Sequence, residues 1–274
     1  MNVNLQDIQY DGLIKSLQKK RRRVIALTVI AVLAVLLFAS STQLEIGGET
    51  VVSYSGWHPV LTIILILFCI AAGLMAYVAV STPLTTSLES ECDPHKHLIL
   101  NAKLNKQKNM DAIYAADYMY LGIYEEALKY TDRMIATDKK SDVLIGLFNR
   151  ARCEFLQGDC EGLRQTVNRY SDTLSKGKEL GTKSLLVSQK MNRVLHLMCA
   201  LLEDDADKID VLRENVKAWS SSTMSQGFVN YLKGVAAYKV EDEQEAIYRL
   251  KFVEEFCSKT VLGSLAEEYL ARLH

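Results

Sequence analysis

The chain is 274 residues long, with 32 Lys+Arg against 33 Asp+Glu and 49% hydrophobic residues. So even a charge balance excludes a broad basic face for nucleic acid. The apolar fraction is unevenly spread, with two long apolar stretches falling between residues 24 and 80. From residue 81 onward, 26 basic residues stand against 29 acidic ones, a nearly neutral segment long enough to bury a sizeable core.

Residues 1–23 form a basic N-terminal segment that ends in Lys19-Lys20-Arg21-Arg22-Arg23. The first apolar stretch follows at once, Val24 to Ser40, and Ser41 and Thr42 extend it to a first transmembrane helix over 24–42. A second is expected over 59–80, beginning at Pro59 and ending at Val80. The connecting residues, 43–58, carry Glu45 and Glu49 and no Lys or Arg, and Gly47-Gly48 has the look of a small hairpin. Lysines resume at Lys96, Lys103, Lys106 and Lys108. Positive charge on both flanks and none between predicts cytoplasmic termini and an extracytoplasmic loop, with Tyr54 and Trp57 at an interface. A cleaved signal peptide is the competing reading of the first stretch, with Ala39-Ser40-Ser41 as a small-residue site.

Neither stretch holds an ionisable residue, which argues against a pump or an ion-coupled transporter. Cys69/Gly73 and Ala72/Ala76 place small residues four apart, the spacing that lets two helices approach closely. The expected use is pairing with the first stretch. The five basic residues set topology and also suit anionic lipid headgroups.

Residues 81–109 are expected to hold a juxtamembrane segment and helix, with Asp93 as N-cap, Pro94 as first helical residue and the helix running over 94–108. No proline follows Pro94, and apolar residues such as Ala112, Ala115, Ala116, Met119 and Tyr120 keep the 3.6-residue period. Three segments then repeat one plan of helix end, tight turn and helix start: Tyr118 to Leu128, Cys153 to Leu163, and Ala237 to Ile247. Gly122 and Gly158 stand 36 residues apart. A weaker helix pair lies near 182–203 and 206–218, and 260–273 closes the chain as a capping helix.

The repeats resemble the tetratricopeptide family, whose helix-turn-helix unit is 34 residues long. The likeness is carried by the turn glycines Gly122 and Gly158, the post-turn Tyr124, the small Ala127 and Ala246 of the second helix, and Gly234 of the first. The usual tryptophan and the closing proline are missing, and the likeness covers about 110–258. It implies an all-α fold: a two-helix transmembrane hairpin, then over 110–274 a tetratricopeptide-like α-solenoid of about four helical hairpins plus a capping helix. It also implies a partner-binding groove lined by the first helix of each unit. Carried over position by position, the groove residues are Phe148, Arg152, Phe155, Tyr231, Tyr238 and Lys239, with Leu156 and Val235 beside them and Ala112, Ala116, Met119 and Tyr120 in the first copy. Their apolar, aromatic character suits a hydrophobic peptide or helix better than a charged C-terminus. The alternative is that these side chains fill a closed array.

No catalytic motif is legible, and neither a cofactor nor a small-molecule substrate is implied. Cys92, His95 and His97 form the one metal-like grouping, but the two histidines point to different helical faces and no second cluster completes a ligand set. The two histidines are expected on the surface at a capped helix start, with no metal. The acidic runs Glu203-Asp204-Asp205 and Glu241-Asp242-Glu243 are expected in solvated turns, and the six cysteines as free thiols. The function expected is a non-enzymatic scaffold or adaptor that binds a protein partner at the cytoplasmic face of a membrane. The runner-up is an assembly or stability subunit of a membrane complex, contacting it mainly through the spans.

Overall fold

The computed structural model describes residues 8–40, 45–46, 49–50, 58–104, 110–176 and 180–273. Among these the protein is helical, apart from an antiparallel pair of two-residue strands, β1 (Glu45–Ile46) and β2 (Glu49–Thr50). That pairing is what the Gly47-Gly48 hairpin predicts; the glycines themselves, like Tyr54 and Trp57, lie outside the described residues. The chain forms two compact units, residues 6–84 and 85–274.

In the first unit, α1 (Asp11–Ser40) and α2 (His58–Glu89) are paired. Gly73 lies against Thr28, where even a methyl group would meet Thr28 Oγ1 at 2.2 Å. Gly73 therefore serves the close approach of α1 and α2 at that point. Among the described residues, one helix is long and apolar enough to cross a membrane, Pro59–Glu89, with mean hydropathy 2.8 over an 18-residue stretch. It outruns the predicted 59–80 because Pro83 sits inside the helix without ending it. The apolar part of α1 also exposes its side chains, Ile25, Leu27, Ile30, Leu33 and Leu37 among them.

The second unit opens with α3 (Pro94–Leu104), the rest of the expected 94–108 helix lying outside the described residues; Asp93 Oδ1 accepts from the Lys96 amide at 2.9 Å, as an N-cap does. Then come α4 (Asp111–Tyr120), α5 (Tyr124–Ile135), α6 (Lys140–Gln157), α7 (Cys160–Ser175), α8 (Thr182–Glu203), α9 (Ala206–Asn215), α10 (Thr223–Lys239), α11 (Glu243–Phe256) and α12 (Val261–Leu273). Each helix packs on the next along the chain from α3 to α12, and alternate helices are joined as well: α4 with α6, α6 with α8, α8 with α10, α10 with α12. One continuous core runs through α4 to α12, with Phe148, Tyr170, Leu195, Phe228 and Leu250 among its buried residues.

The four tight turns share a backbone device. Gly122 and Gly158 (both φ +74°), Asp204 (+56°) and Glu241 (+61°) occupy the left-handed region at the ends of α4, α6, α8 and α10. After three of them stands an aspartate cap: Asp159 accepts from Gly162, Asp205 from Lys208 and Asp242 from Glu245. The acidic runs are thus turn and cap residues. They also tie neighbours together, Arg213 with Asp242 at 3.0 Å, Arg164 with Glu203 at 2.8 Å, and Lys239 with Asp204. Left-handed backbone costs a non-glycine residue roughly 1–2 kcal/mol. Glu241→Gly is therefore expected to raise stability by up to about 1 kcal/mol. Gly158→Ala should lower it by about the same, although a Cβ there meets open space. Thermal melts of the two variants check this pair of opposite signs.

Candidate functional site

The expected groove residues divide into two groups. Phe148 and Arg152 on α6 are buried, at 1% and 4% exposure, so neither is available to a partner and both are corrected to core residues. The Arg152 guanidinium lies 4.8 Å from the ring of Phe148, 5.3 Å from Tyr120, and 5.4 Å from both Trp219 and Phe228. It donates to Tyr120 Oη at 2.7 Å and to Asn149 Oδ1. Burial raises the Tyr120 phenol to about 12, so it stays neutral. With no carboxylate in ion-pair reach among the described residues, the faces of four rings stabilise this cation. Met119 and Tyr120, the expected first-copy positions, are buried as well.

The second group stays together at an opening. Phe155 and Leu156 from α6, Leu201 and Leu202 from α8, Tyr231, Val235 and Lys239 from α10, and Leu265 and Tyr269 from α12 line a cleft of about 470 Å³; Phe155, Leu201, Tyr231 and Val235 are themselves buried, so its accessible walls are Leu156, Leu202, Lys239, Leu265 and Tyr269. Its walls thus come from alternate helices. Tyr231 and Tyr269 meet edge-on with centroids 6.4 Å apart, and Tyr238, just beyond the lining, is 5.3 Å from Tyr269. Arg272 lies 5.2 Å over the Tyr269 ring, and Lys239 is paired with the exposed Asp204. Burial raises the Tyr231 phenol, which keeps the wall neutral. A cleft of mixed polar and aromatic lining, with Gln157 and Gly158 among its walls and Lys239 at its rim, can receive a hydrophobic side chain beside an acidic one. Sequence reasoning found Phe155, Tyr231 and Lys239 but missed Tyr269 and Leu265, because the last helix was read only as a cap; its aromatic at position 269 was the available signal.

A larger cavity, about 650 Å³, lies among α7, α8 and α9. Of its charged residues, Arg164 is already paired with Glu203 inside the cavity and Lys208 with Asp205 beside it. Burial raises its Cys199 thiol to about 11, which leaves little thiolate for nucleophilic work. It is the weaker candidate.

At the start of the unit, His97 is buried, contrary to the surface position expected. Its Nδ1 bonds both Asp117 oxygens, at 2.8 and 2.9 Å, and so joins α3 to α4. A buried carboxylate needs such a partner, which a spacing argument within α3 does not reveal. Cys92 turns the other way: the buried Cys257 thiol donates to Cys92 Sγ at 3.7 Å. Among the described residues, no group of three or more His, Cys, Asp or Glu is placed to hold a metal ion. Compared with family models, curated proteins and solved structures, the chain matches none.

Proposed function

We propose that the protein is a membrane-anchored scaffold whose tetratricopeptide-like helical array receives a hydrophobic segment of a protein partner in the α6–α8–α10–α12 cleft. The observation that carries the reading is the clustering of Phe155, Tyr231, Lys239 and Tyr269, from three separate helices, around one opening. The recurring left-handed turn residue and the contacts between alternate helices support a stack of four hairpins, α4–α5 to α10–α11, closed by α12. In this reading α1 and α2 both span the membrane, and the basic block keeps the N-terminus and the array on the cytoplasmic side. Half-buried Cys160, at the α6–α7 turn, is the thiol to label from either side of the membrane; the fully buried Cys153 and Cys257 are unsuited.

The chain should capture a partner from detergent extracts and lose it on Tyr269→Ala combined with Lys239→Glu, both residues being half-exposed. Undiminished capture by that folded variant would contradict the cleft. A second reading has its own support: α2 exposes Phe68, Met75 and Leu67, at 69%, 67% and 60%, a face that would also suit a membrane subunit. Capture that survives the cleft variant but is lost when α1 and α2 are exchanged for unrelated spans would favour it.

A further inference from the structure

Once helical, the five-residue basic block is spread around α1: Arg21 faces one side, Lys19, Arg22 and Arg23 another, and the exposed Lys20 stands apart from both. Arg21 turns toward α2: it is 8% exposed, donates to Ser81 Oγ from Nη2 at 2.9 Å and from Nε at 3.2 Å, and lies 5.2 Å over the Tyr77 ring. Lys15, Lys19, Arg22 and Arg23 follow the i, i+4, i+7, i+8 spacing of a single helical face. All four are exposed, and with Gln18 and Ala26 they border a concavity of about 500 Å³ on that face. Asp11, one turn earlier on the same side, leaves the charge there strongly positive. Continuing the spacing past Ala26 leads to Ile30, Leu33 and Leu37, at 60%, 52% and 68% exposure.

One face of α1 therefore presents a run of cations followed by a run of exposed aliphatic side chains. A phospholipid has the same order of chemistry, an anionic phosphate followed by an acyl chain. Guanidinium and ammonium groups are good phosphate donors, and basic residues beside a span favour anionic lipids. We propose that this face binds an anionic phospholipid, its headgroup held by Lys15, Lys19, Arg22 and Arg23 and its chain lying along Ile30, Leu33 and Leu37. The aliphatic continuation favours a lipid over a free phosphate ion. The proposal rests on the reading that α1 lies in the membrane.

The test uses the full chain in zwitterionic bicelles, with spin-labelled phosphatidylglycerol and phosphatidylcholine as probes of lipid immobilisation. Phosphatidylglycerol is expected to be preferred by about fivefold or more. That preference should vanish when the four basic residues are replaced together by Gln, survive Arg21→Gln, and resist inorganic phosphate. Equal immobilisation of the two lipids overturns the proposal, as does a preference that persists in the fourfold variant or is abolished by inorganic phosphate. If neither lipid is immobilised, the membrane reading of α1 fails and takes the proposal with it.

Discussion

Arg152→Ala is expected to lower the melting temperature of the helical unit by roughly 10 °C, the shift that about 3 kcal/mol produces in a unit of this size. Three losses add. The cation leaves four aromatic faces between 4.8 and 5.4 Å away; one desolvated pair of this kind is worth about 2 kcal/mol. The Tyr120 hydroxyl and the Asn149 carbonyl lose their donor in a buried place, at roughly 1–3 kcal/mol for each group left without a partner. The removed side chain leaves a cavity among Phe148, Trp219 and Phe228. Arg152→Lys keeps the charge but not the flat guanidinium, so its effect should fall between wild type and Ala. Arg152→Glu should be worst, because a carboxylate would face the electron-rich sides of the rings. Thermal melts of the series, followed by circular dichroism, check the order Lys, Ala, Glu. Loss of partner binding in the Glu variant would report unfolding rather than a damaged cleft.

Asp117→Ala is expected to cost on the order of 3 kcal/mol, because it leaves the buried His97 Nδ1 without its partner. The more specific outcome concerns pH. Burial raises the Asp117 carboxyl from 3.8 to about 6, the hydrogen bond and charge of His97 opposing the rise. The folded state thus holds the proton more tightly than the unfolded chain does. This carboxyl favours folding fully below about pH 4, and the advantage is lost as pH rises through about 6. Asp117→Asn keeps the shape and cannot ionise, so it should remove that part of the pH dependence. Denaturant melts at pH 4, 5, 6 and 7 make the comparison. An unchanged slope in the Asn variant would assign the titration to another group.

Local chemistry was legible in the sequence where one residue decides a conformation. Asp93 and Pro94 begin a helix, Gly122 and Gly158 end one, and α8 occupies Thr182–Glu203, the range its pattern gives. Asp204 and Glu241 hold the same left-handed turn without glycine. There, packing of the flanking helices and the Asp205 and Asp242 caps impose what no side-chain preference announces. Periodicity also showed that Phe148, Arg152 and Phe155 share a helix, yet it could not show where that helix faces an opening. Trp219 decides the matter for the first two. It comes from the connection before α10 and meets Phe148 at 4.9 Å and Phe228 at 6.1 Å, closing the core over Arg152. Phe155 and Leu156, one turn further along α6, reach the cleft instead. His97 escaped for the same reason, since its partner lies 20 residues away on another helix.

The central claim is that the cleft, rather than the apolar helices alone, holds the partner. A photo-crosslinking amino acid placed at Leu156 tests it in intact cells, against the same probe at Tyr248 on α11, outside the cleft, and at Phe68 on α2. One discrete adduct is expected from position 156, none from 248, and the 156 adduct should be lost on Tyr269→Ala. Adducts from 68 alone, with none from 156, would contradict it.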